Sequence, residues 1–199
     1  LIDLPARRYP AALTHSVHLR RPLRSGDFDF QLDDALASCR AVRVRVIGIQ
    51  ENQAPTLALE KVLPVRSGQL ALDRAHDIAR VAVIERHHGR GGLQLGLVSG
   101  FGFNRPCAVA STVAHDSHQL VIVGNDEACM ALAANTLADQ GGGQCVVREG
   151  ELIANLRLEL GGLMSTLDAG RVAAQAESVL EGFRQCGCRL NNPNMQLSL

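Results

Sequence analysis

The sequence has no excess of charge of either sign. Its 199 residues include 20 Lys and Arg and 20 Asp and Glu, so the formal net charge is zero. Proteins that hold nucleic acid or an anionic membrane by electrostatic attraction usually carry a basic surface. We therefore expect neither nucleic acid nor a membrane among the partners.

Long apolar runs and export signals are also missing. No apolar run approaches the roughly 20 residues that span a bilayer. Arg7 and Arg8 follow the first residues without the apolar stretch of a signal peptide. These features predict a globular, cytoplasmic protein.

No C-x-x-C pair occurs among the six cysteines. In a chain without an export signal, this usage favours reduced thiols that are mostly buried. The sequence Cys186-Gly187-Cys188 has two interpretations. It could bind a soft metal, or it could be the end of a helix with small residues, and the second interpretation is favoured.

Several catalytic signatures are absent. Neither Ser111 nor Ser117 lies in a G-x-S-x-G elbow, so a serine hydrolase has no local support. The stretch GFGFNRP, residues 100–106, lacks the spacing of a nucleotide-binding fingerprint. The glycines 141–143 follow a predicted helix instead of preceding one, so they favour a helix C-cap over a phosphate cradle.

Apolar alternation and turn residues predict a series of strands. Val42, Val44 and Val46 alternate with arginines, as in a half-buried strand. Ser67-Gly68 and Glu149-Gly150 predict the turns of two hairpins. The predicted strand regions are 42–49, 59–73 (two strands), 78–89, 91–102, 107–114, 119–124 and 143–158 (a hairpin).

Two segments have helical spacing. The first begins with Asn125 as the expected N-cap and ends at Gly141, and the second begins near Ser165 and ends at Gly187. The tail from Asn191 to Leu199 has a strand-like pattern. Together these elements predict an α+β (α/β layered) domain, with a mixed β-sheet, helices packed on one face of it and no TIM barrel. Residues 1–41 are predicted to be a linker or extended segment, and residues 42–199 the domain.

Two polar clusters each adjoin an apolar run. The first choice for a functional group is His115, Asp116 and His118, and the second is Glu85, His87 and His88. His and Asp are suitable ligands for Mn, Fe or Zn, and His transfers protons near neutral pH. The alternative interpretation is that these residues form hydrogen-bonded turns at strand ends. His15 and His18 form an H-x-x-H without a supporting Glu, which favours no metal role.

A family resemblance is carried by ERHHG (85–89), STVAHDSH (111–118), LGGLMS (160–165) and the closing NPNMQLSL. With the intervening sequence, these motifs resemble the C-terminal region of bacterial adenine deaminases, which belong to the amidohydrolase superfamily. The resemblance covers about residues 42–199, and the two His-containing motifs at this separation make it specific.

The resemblance implies a domain of a metal-dependent hydrolase of purine salvage, which converts adenine and water to hypoxanthine and ammonia by acting on a cyclic amidine C–N bond. It implies Mn or Fe, held mainly by an N-terminal barrel that is not in this chain, and a homo-oligomer. The chain begins with Leu1 and ends before the usual C-terminus of the family, so we expect a piece of a longer protein. Its role is expected to be support of the active site and the oligomer. The alternatives are a purely structural or interaction domain, or a self-sufficient small metallohydrolase.

Overall fold

The computed structural model describes residues 8–72 and 76–198. Residues 1–7 of the predicted linker, residue 73 of a predicted strand and residue 199 of the tail lie outside the described residues. The strands are β1 Ala41–Gly48, β2 Leu57–Arg66, β3 Gln69–Leu70, β4 Ile78–Ile84, β5 Leu93–Ser99, β6 Cys107–Ser111, β7 Leu120–Gly124, β8 Gly143–Arg148 and β9 Glu151–Arg157. The helices are α1 Ala11–Thr14, α2 Asp34–Ala37, α3 Glu127–Gln140, α4 Ala169–Gln185 and α5 Pro193–Ser198, with a 3-10 helix at Ser25–Phe28.

All nine strands form one sheet in the order β3-β2-β1-β5-β4-β7-β6-β8-β9. The β1–β5 pair is parallel. The other pairs are antiparallel. Within the described residues the sheet is open, with β3 and β9 at its edges. The predicted α+β class and mixed sheet are therefore confirmed.

The two long helices lie on opposite faces of the sheet, which differs from the prediction that helices pack on one face. Val147 on β8 packs in the cluster that contains Met130 of α3. Its neighbour Val146 packs in the cluster that contains Phe183 of α4. Because successive side chains of a strand point to opposite faces, we name the two faces the α3 face and the α4 face.

The helix ends show where local patterns succeed. Gly141 ends α3 with φ 86°, the left-handed conformation expected of a C-cap glycine. The N-cap of α3 is Asp126, one residue after the predicted Asn125, and its side chain accepts from the Cys129 amide at 2.9 Å. Asn125 instead accepts from the Cys107 amide at 2.9 Å.

The predicted strand in the tail is wrong, because residues 193–198 form α5. Pro193 occupies the first helical position, where its fixed φ and its missing N–H are compatible with a helix. The second long helix also begins later than predicted. Asp168 is its N-cap and accepts from the Arg171 amide at 3.0 Å, while Ser165 lies in the preceding loop.

Residues 8–40 pack against the domain at several points. Phe28 is fully buried among side chains of the α3 face. Leu23 donates to and accepts from the side-chain amide of Asn135 on α3, at 2.9 Å in each direction. The division of the chain at residue 42 stays a prediction.

The cysteines agree with the predicted reduced thiols. No disulfide joins any of these six described residues, of which five are buried and Cys39 is exposed. None of the described helices is both long and apolar enough to cross a membrane.

Candidate functional site

The sheet brings the two predicted polar clusters to the same end. β4 and β7 are antiparallel neighbours, with Ile84 opposite Leu120. Glu85 follows β4 directly, and residues 115–118 are separated from β7 only by Gln119. We call this end of the sheet, with residues 85–90 and 112–119, the motif end.

Hydrogen bonds join the two clusters at the motif end. The Nε2 atom of His87 lies 3.0 Å from the carbonyl oxygen of Ser117. The Arg86 amide donates to the Gln119 side chain at 3.1 Å. These contacts link a loop of one motif to a loop of the other.

Arg86 is the centre of this end, and its guanidinium is almost completely buried, with 1% of the residue exposed. Its Nε donates to the His118 carbonyl at 2.6 Å. Its Nη1 donates to the carbonyl and hydroxyl oxygens of Ser16 at 3.0 and 3.1 Å, and its Nη2 donates to the Gly161 carbonyl at 3.0 Å. Burial lowers the pKa of Arg86 from its ordinary value. One side chain thus ties together three loops that are distant in the sequence.

Sequence reasoning missed Arg86, although it lies inside the ERHHG motif. Ala82 and Ile84 point to the α3 face of β4. Because every second side chain of a strand points to the same face, the side chain at position 86 is expected to point to this buried face as well. A continued period-2 pattern was therefore the signal that could have identified a buried arginine.

Glu85 organises the loop that follows it. Its Oε1 accepts from the amides of His87 and His88 at 2.7 Å each, and its Oε2 accepts from the Arg90 amide at 3.0 Å. Burial acts to raise the pKa of this carboxyl, but the three backbone donors and the ring of His88 lower it overall, to about 2. Glu85 is therefore an ionised loop anchor near neutral pH.

This anchoring predicts a pH dependence of stability. The folded-state pKa of Glu85 is depressed from 4.5 to about 2. Its contribution is therefore complete above about pH 4.5 and is lost as the pH falls towards 2. We expect Glu85→Gln to lower the free energy of unfolding by about 2 kcal/mol at pH 6, and by progressively less as the pH is lowered.

Urea unfolding from pH 6 to pH 2.5 measures this difference. The control is Glu181→Gln on the exposed surface of α4, whose effect should stay below about 0.5 kcal/mol at every pH. An effect of Glu85→Gln that is the same at pH 6 and pH 2.5 would contradict the anchoring role.

The remaining candidate side chains are more open. His115, Asp116, His87 and His88 are exposed, and His118 is half-buried. The Nδ1 atom of His118 is buried and has no hydrogen-bond partner among the described residues. It is thus a polar atom at the motif end that the described protein groups leave unsatisfied.

Asp116 and His118 have left-handed backbone conformations, with φ 66° and 45°. Asp, Asn and His adopt this conformation more readily than most other residues. The turn is held by the His118 amide, which donates to the Ala114 carbonyl at 2.8 Å. The His115 amide also donates to the Ser198 carbonyl at 2.9 Å, which attaches α5 to the same loop.

The LGGLMS segment supports the motif end through a second buried network. Glu159, 7% exposed, accepts from the hydroxyl of Ser165 at 3.3 Å and from the amide and hydroxyl of Thr166. Burial acts to raise the pKa of Glu159, but the hydroxyl and amide of Thr166, with the backbone amide of Glu159 and the charge of Arg157, lower it overall. The buried Thr112 hydroxyl donates to the Gly162 carbonyl at 2.6 Å. Neither Glu159 nor Thr112 was singled out from the sequence.

The two clusters face different cavities. His115 and Ser117 line a cleft of about 330 Å³ on the α4 face, together with apolar side chains of β4 and β7. Glu85 lines a separate pocket of about 240 Å³ that also contains Arg21 and Asp27. The structure therefore brings the backbones of the motifs together without merging their side chains into one pocket.

The residues do not fit a metal centre held by this chain alone. Across the parts of the chain that the structure describes, no three His, Cys, Asp or Glu side chains are placed to hold a metal ion. Cys186 and Cys188 are buried at the end of α4, and His15 lies beside Thr14 and the Ala11 carbonyl.

Comparison with known proteins gives one consistent family. The family model described as "Adenine deaminase C-terminal domain" matches residues 53–199. The chain is 48% identical over 198 residues to "Adenine deaminase" of Mesorhizobium japonicum, and 47% identical over 197 residues to "Adenine deaminase 3" of Rhizobium meliloti. It is 47% identical over 199 residues to "Adenine deaminase" of Moorella thermoacetica.

These alignments cover nearly all of this chain, at 99–100%, but only 32–33% of each relative. The chain thus spans about a third of the length of the curated relatives that it matches. The identities and the matched range agree with the resemblance carried by the ERHHG, STVAHDSH and LGGLMS motifs. The chain therefore belongs to the family of adenine deaminase C-terminal domains.

Proposed function

We propose that this domain is part of a metal-dependent adenine deaminase and that its motif end supports the active site of that enzyme. The parent reaction is the hydrolysis of adenine. Water adds to C6 of the purine, the bond from C6 to the exocyclic nitrogen breaks, and hypoxanthine and ammonia are released. The proposal is supported by the names of the relatives and by the family to which the domain belongs.

One observation supports this role most strongly. Both predicted clusters lie at the same end of the sheet, and hydrogen bonds from Arg86 hold their loops in place. This arrangement is rigid because the buried, planar guanidinium of Arg86 donates hydrogen bonds to backbone carbonyls. On this support, His115, Asp116 and His118 orient the substrate or the attacking water by hydrogen bonds. Rigid support of this kind holds polar groups in a productive geometry.

The second cluster has a divided role. Glu85 positions the loop through its backbone hydrogen bonds, and His87 and His88 are the exposed members that could contact the catalytic part. The metal, Mn or Fe, is held mainly by the N-terminal barrel of the parent enzyme and supplies activation of the attacking water. The same proposal places the enzyme in purine salvage in the cytoplasm, as a homo-oligomer.

A purely structural role is the second candidate, and a specific observation favours it for part of the motif. Glu85 and Arg86 direct their hydrogen bonds to backbone groups of the domain itself. If the histidines had the same internal role, replacing them would change stability and leave the turnover of the folded enzyme unaltered.

Ammonia release from adenine distinguishes a supporting domain from a self-sufficient enzyme. We expect the parent protein, purified and supplied with Mn(II) or Fe(II), to release ammonia from adenine. We expect this 199-residue chain under the same conditions to release none above the metal-only blank, since the described residues gather no metal-ligand set. Adenine turnover by the chain alone would contradict the supporting role, and a parent protein inactive on adenine would contradict the proposed activity.

A further inference from the structure

In the part of the chain that the structure describes, about half of the α4 face has no helix packed closely over it. On this face α4 packs on β8 and β9, and α5 packs on β7. The helices that cover the face therefore lie over the strands at one side of the sheet. The other side is formed by β4, β5, β1 and β2. Where it borders β7 and α5 lies the cleft of about 330 Å³ that His115 and Ser117 line.

The uncovered half carries exposed apolar side chains next to charged ones. Ile47 on β1 is 45% exposed, Val62 on β2 is 67% exposed and Val83 on β4 is 41% exposed. The opposite face of the same strands is buried, with Val46 and Ile78 in its core. On β4 the uncovered face carries Val81 and Val83, so that strand is mostly apolar on both faces, as is typical of a strand covered on both sides. On β1 the same face carries Arg43 and Arg45 beside Ile47. We call this uncovered surface the bare face.

The bare face has the composition of an interface. Val81, Val83 and Val98 form part of the apolar wall of the cleft. Beside this wall, on β1 and β2 of the same face, Arg43 pairs with Glu60 at 3.4 Å. An apolar centre with a charged, solvent-accessible rim is the usual anatomy of a surface that binds another protein body.

We propose that the bare face is the docking surface for the N-terminal part of the parent protein. This inference rests on the proposed function and deepens it by naming the surface and its occupant. The relatives are about three times as long as this chain, so two thirds of their length lies outside it. A body of that size can bury the roughly 600–1,500 Å² that contacts between domains of one chain usually cover.

The continuity of the bare face with the motif end favours this occupant over a second copy of the chain. His115 and Ser117 stand at the rim of the same cleft whose wall includes Val83. A catalytic part seated on the bare face would therefore have His115 at its border. One docking event then accounts for both the apolar surface and the proposed role of the exposed histidines.

Thiol labelling of the full-length parent protein tests the docking. Single substitutions Ile47→Cys and Val83→Cys place a small thiol on the bare face. Leu152→Cys is the matched control, because Leu152 lies on the edge strand β9 and is 44% exposed, close to the 45% of Ile47. The rate of reaction with N-ethylmaleimide is read at each site by peptide mass spectrometry.

We expect positions 47 and 83 to react about tenfold more slowly than position 152, because a covered thiol reacts only when the interface opens. Rates within about twofold of the control would overturn the proposal. Protection that disappears on about hundredfold dilution would also overturn it, since it would identify a second copy as the occupant. The labelling does not depend on turnover, so a parent protein inactive on adenine would refute the proposed activity without deciding the docking.

Discussion

Replacing Arg86 by methionine is expected to lower the free energy of unfolding of this chain by about 3 kcal/mol. The guanidinium is buried and donates to the carbonyls of His118, Ser16 and Gly161. Methionine retains much of the side-chain volume but donates no hydrogen bond, so these buried carbonyls lose their partner. Arg86→Lys should restore only part of the loss, because one ammonium group cannot match the planar fork. Urea unfolding at pH 7 measures both variants.

Controls separate the network from a general effect of removing an arginine. Arg43→Met removes a side chain that is 74% exposed and should change the free energy of unfolding by less than about 0.5 kcal/mol. Equal effects of Arg43→Met and Arg86→Met would contradict the central position of Arg86.

Substitutions at two neighbouring glycines test the same hydrogen-bond network around Arg86. Gly161 and Gly162 both have left-handed backbones, with φ 65° and 74°. A Cβ on Gly162 would lie 2.9 Å from Nη1 of Arg86, whereas a Cβ on Gly161 would meet nothing within 4 Å. Gly162→Ala should therefore cost clearly more than the 1–2 kcal/mol or so that the backbone conformation alone predicts for Gly161→Ala.

Local patterns in the sequence predicted most of the strands, because alternation and turn residues depend only on neighbouring positions in the chain. The hairpin turns at Ser67-Gly68 and Glu149-Gly150 have left-handed backbones, as such short turns require. The prediction of a strand in the tail failed because a nine-residue segment with few apolar residues is compatible with the periodicity of a strand or of a helix. Only Pro193 indicated a helix. The face of each helix could not be read from the sequence, since it depends on how β8 is seated between β6 and β9.

The sequence identified most residues of the candidate site but not their arrangement in space. Both motifs adjoin strands, and the sequence showed that much. That they share one end follows from the antiparallel pairing of β4 with β7, which are separated by β5 and β6 in the sequence. Arg86 was overlooked because an arginine next to two histidines suggests an exposed loop, whereas the strand alternation buries it.

The role proposed for the motif end is to act in the deamination of adenine. Its sharpest probe is His118→Asn in the parent enzyme, with Asp116→Asn as a second variant. Asn tolerates the left-handed backbone at both positions, so the turn should keep its conformation. Each substitution changes a group that could hold a proton or orient a reactant, and leaves the Arg86 network with its backbone acceptor at His118.

A histidine at the other end of β4 provides the matched control. His76 is exposed and precedes β4, whereas Glu85 follows it, so His76→Asn makes the same chemical change away from the motif end. Its turnover should match that of the unsubstituted enzyme, and its melting temperature gives the baseline for this chemical change. Any loss shared by His76→Asn and His118→Asn would then be a general effect of the substitution.

The decisive measurement is kcat/KM for ammonia release from adenine by the parent enzyme, with the melting temperature and metal content determined on the same samples. We expect His118→Asn to lower kcat/KM about 100-fold, as loss of a positioned polar or proton-transfer group does. The melting temperature should stay within about 2 °C. Unchanged turnover and metal content, or a lower melting temperature with unaltered turnover of the folded enzyme, would contradict the catalytic role and leave the motif end a structural device.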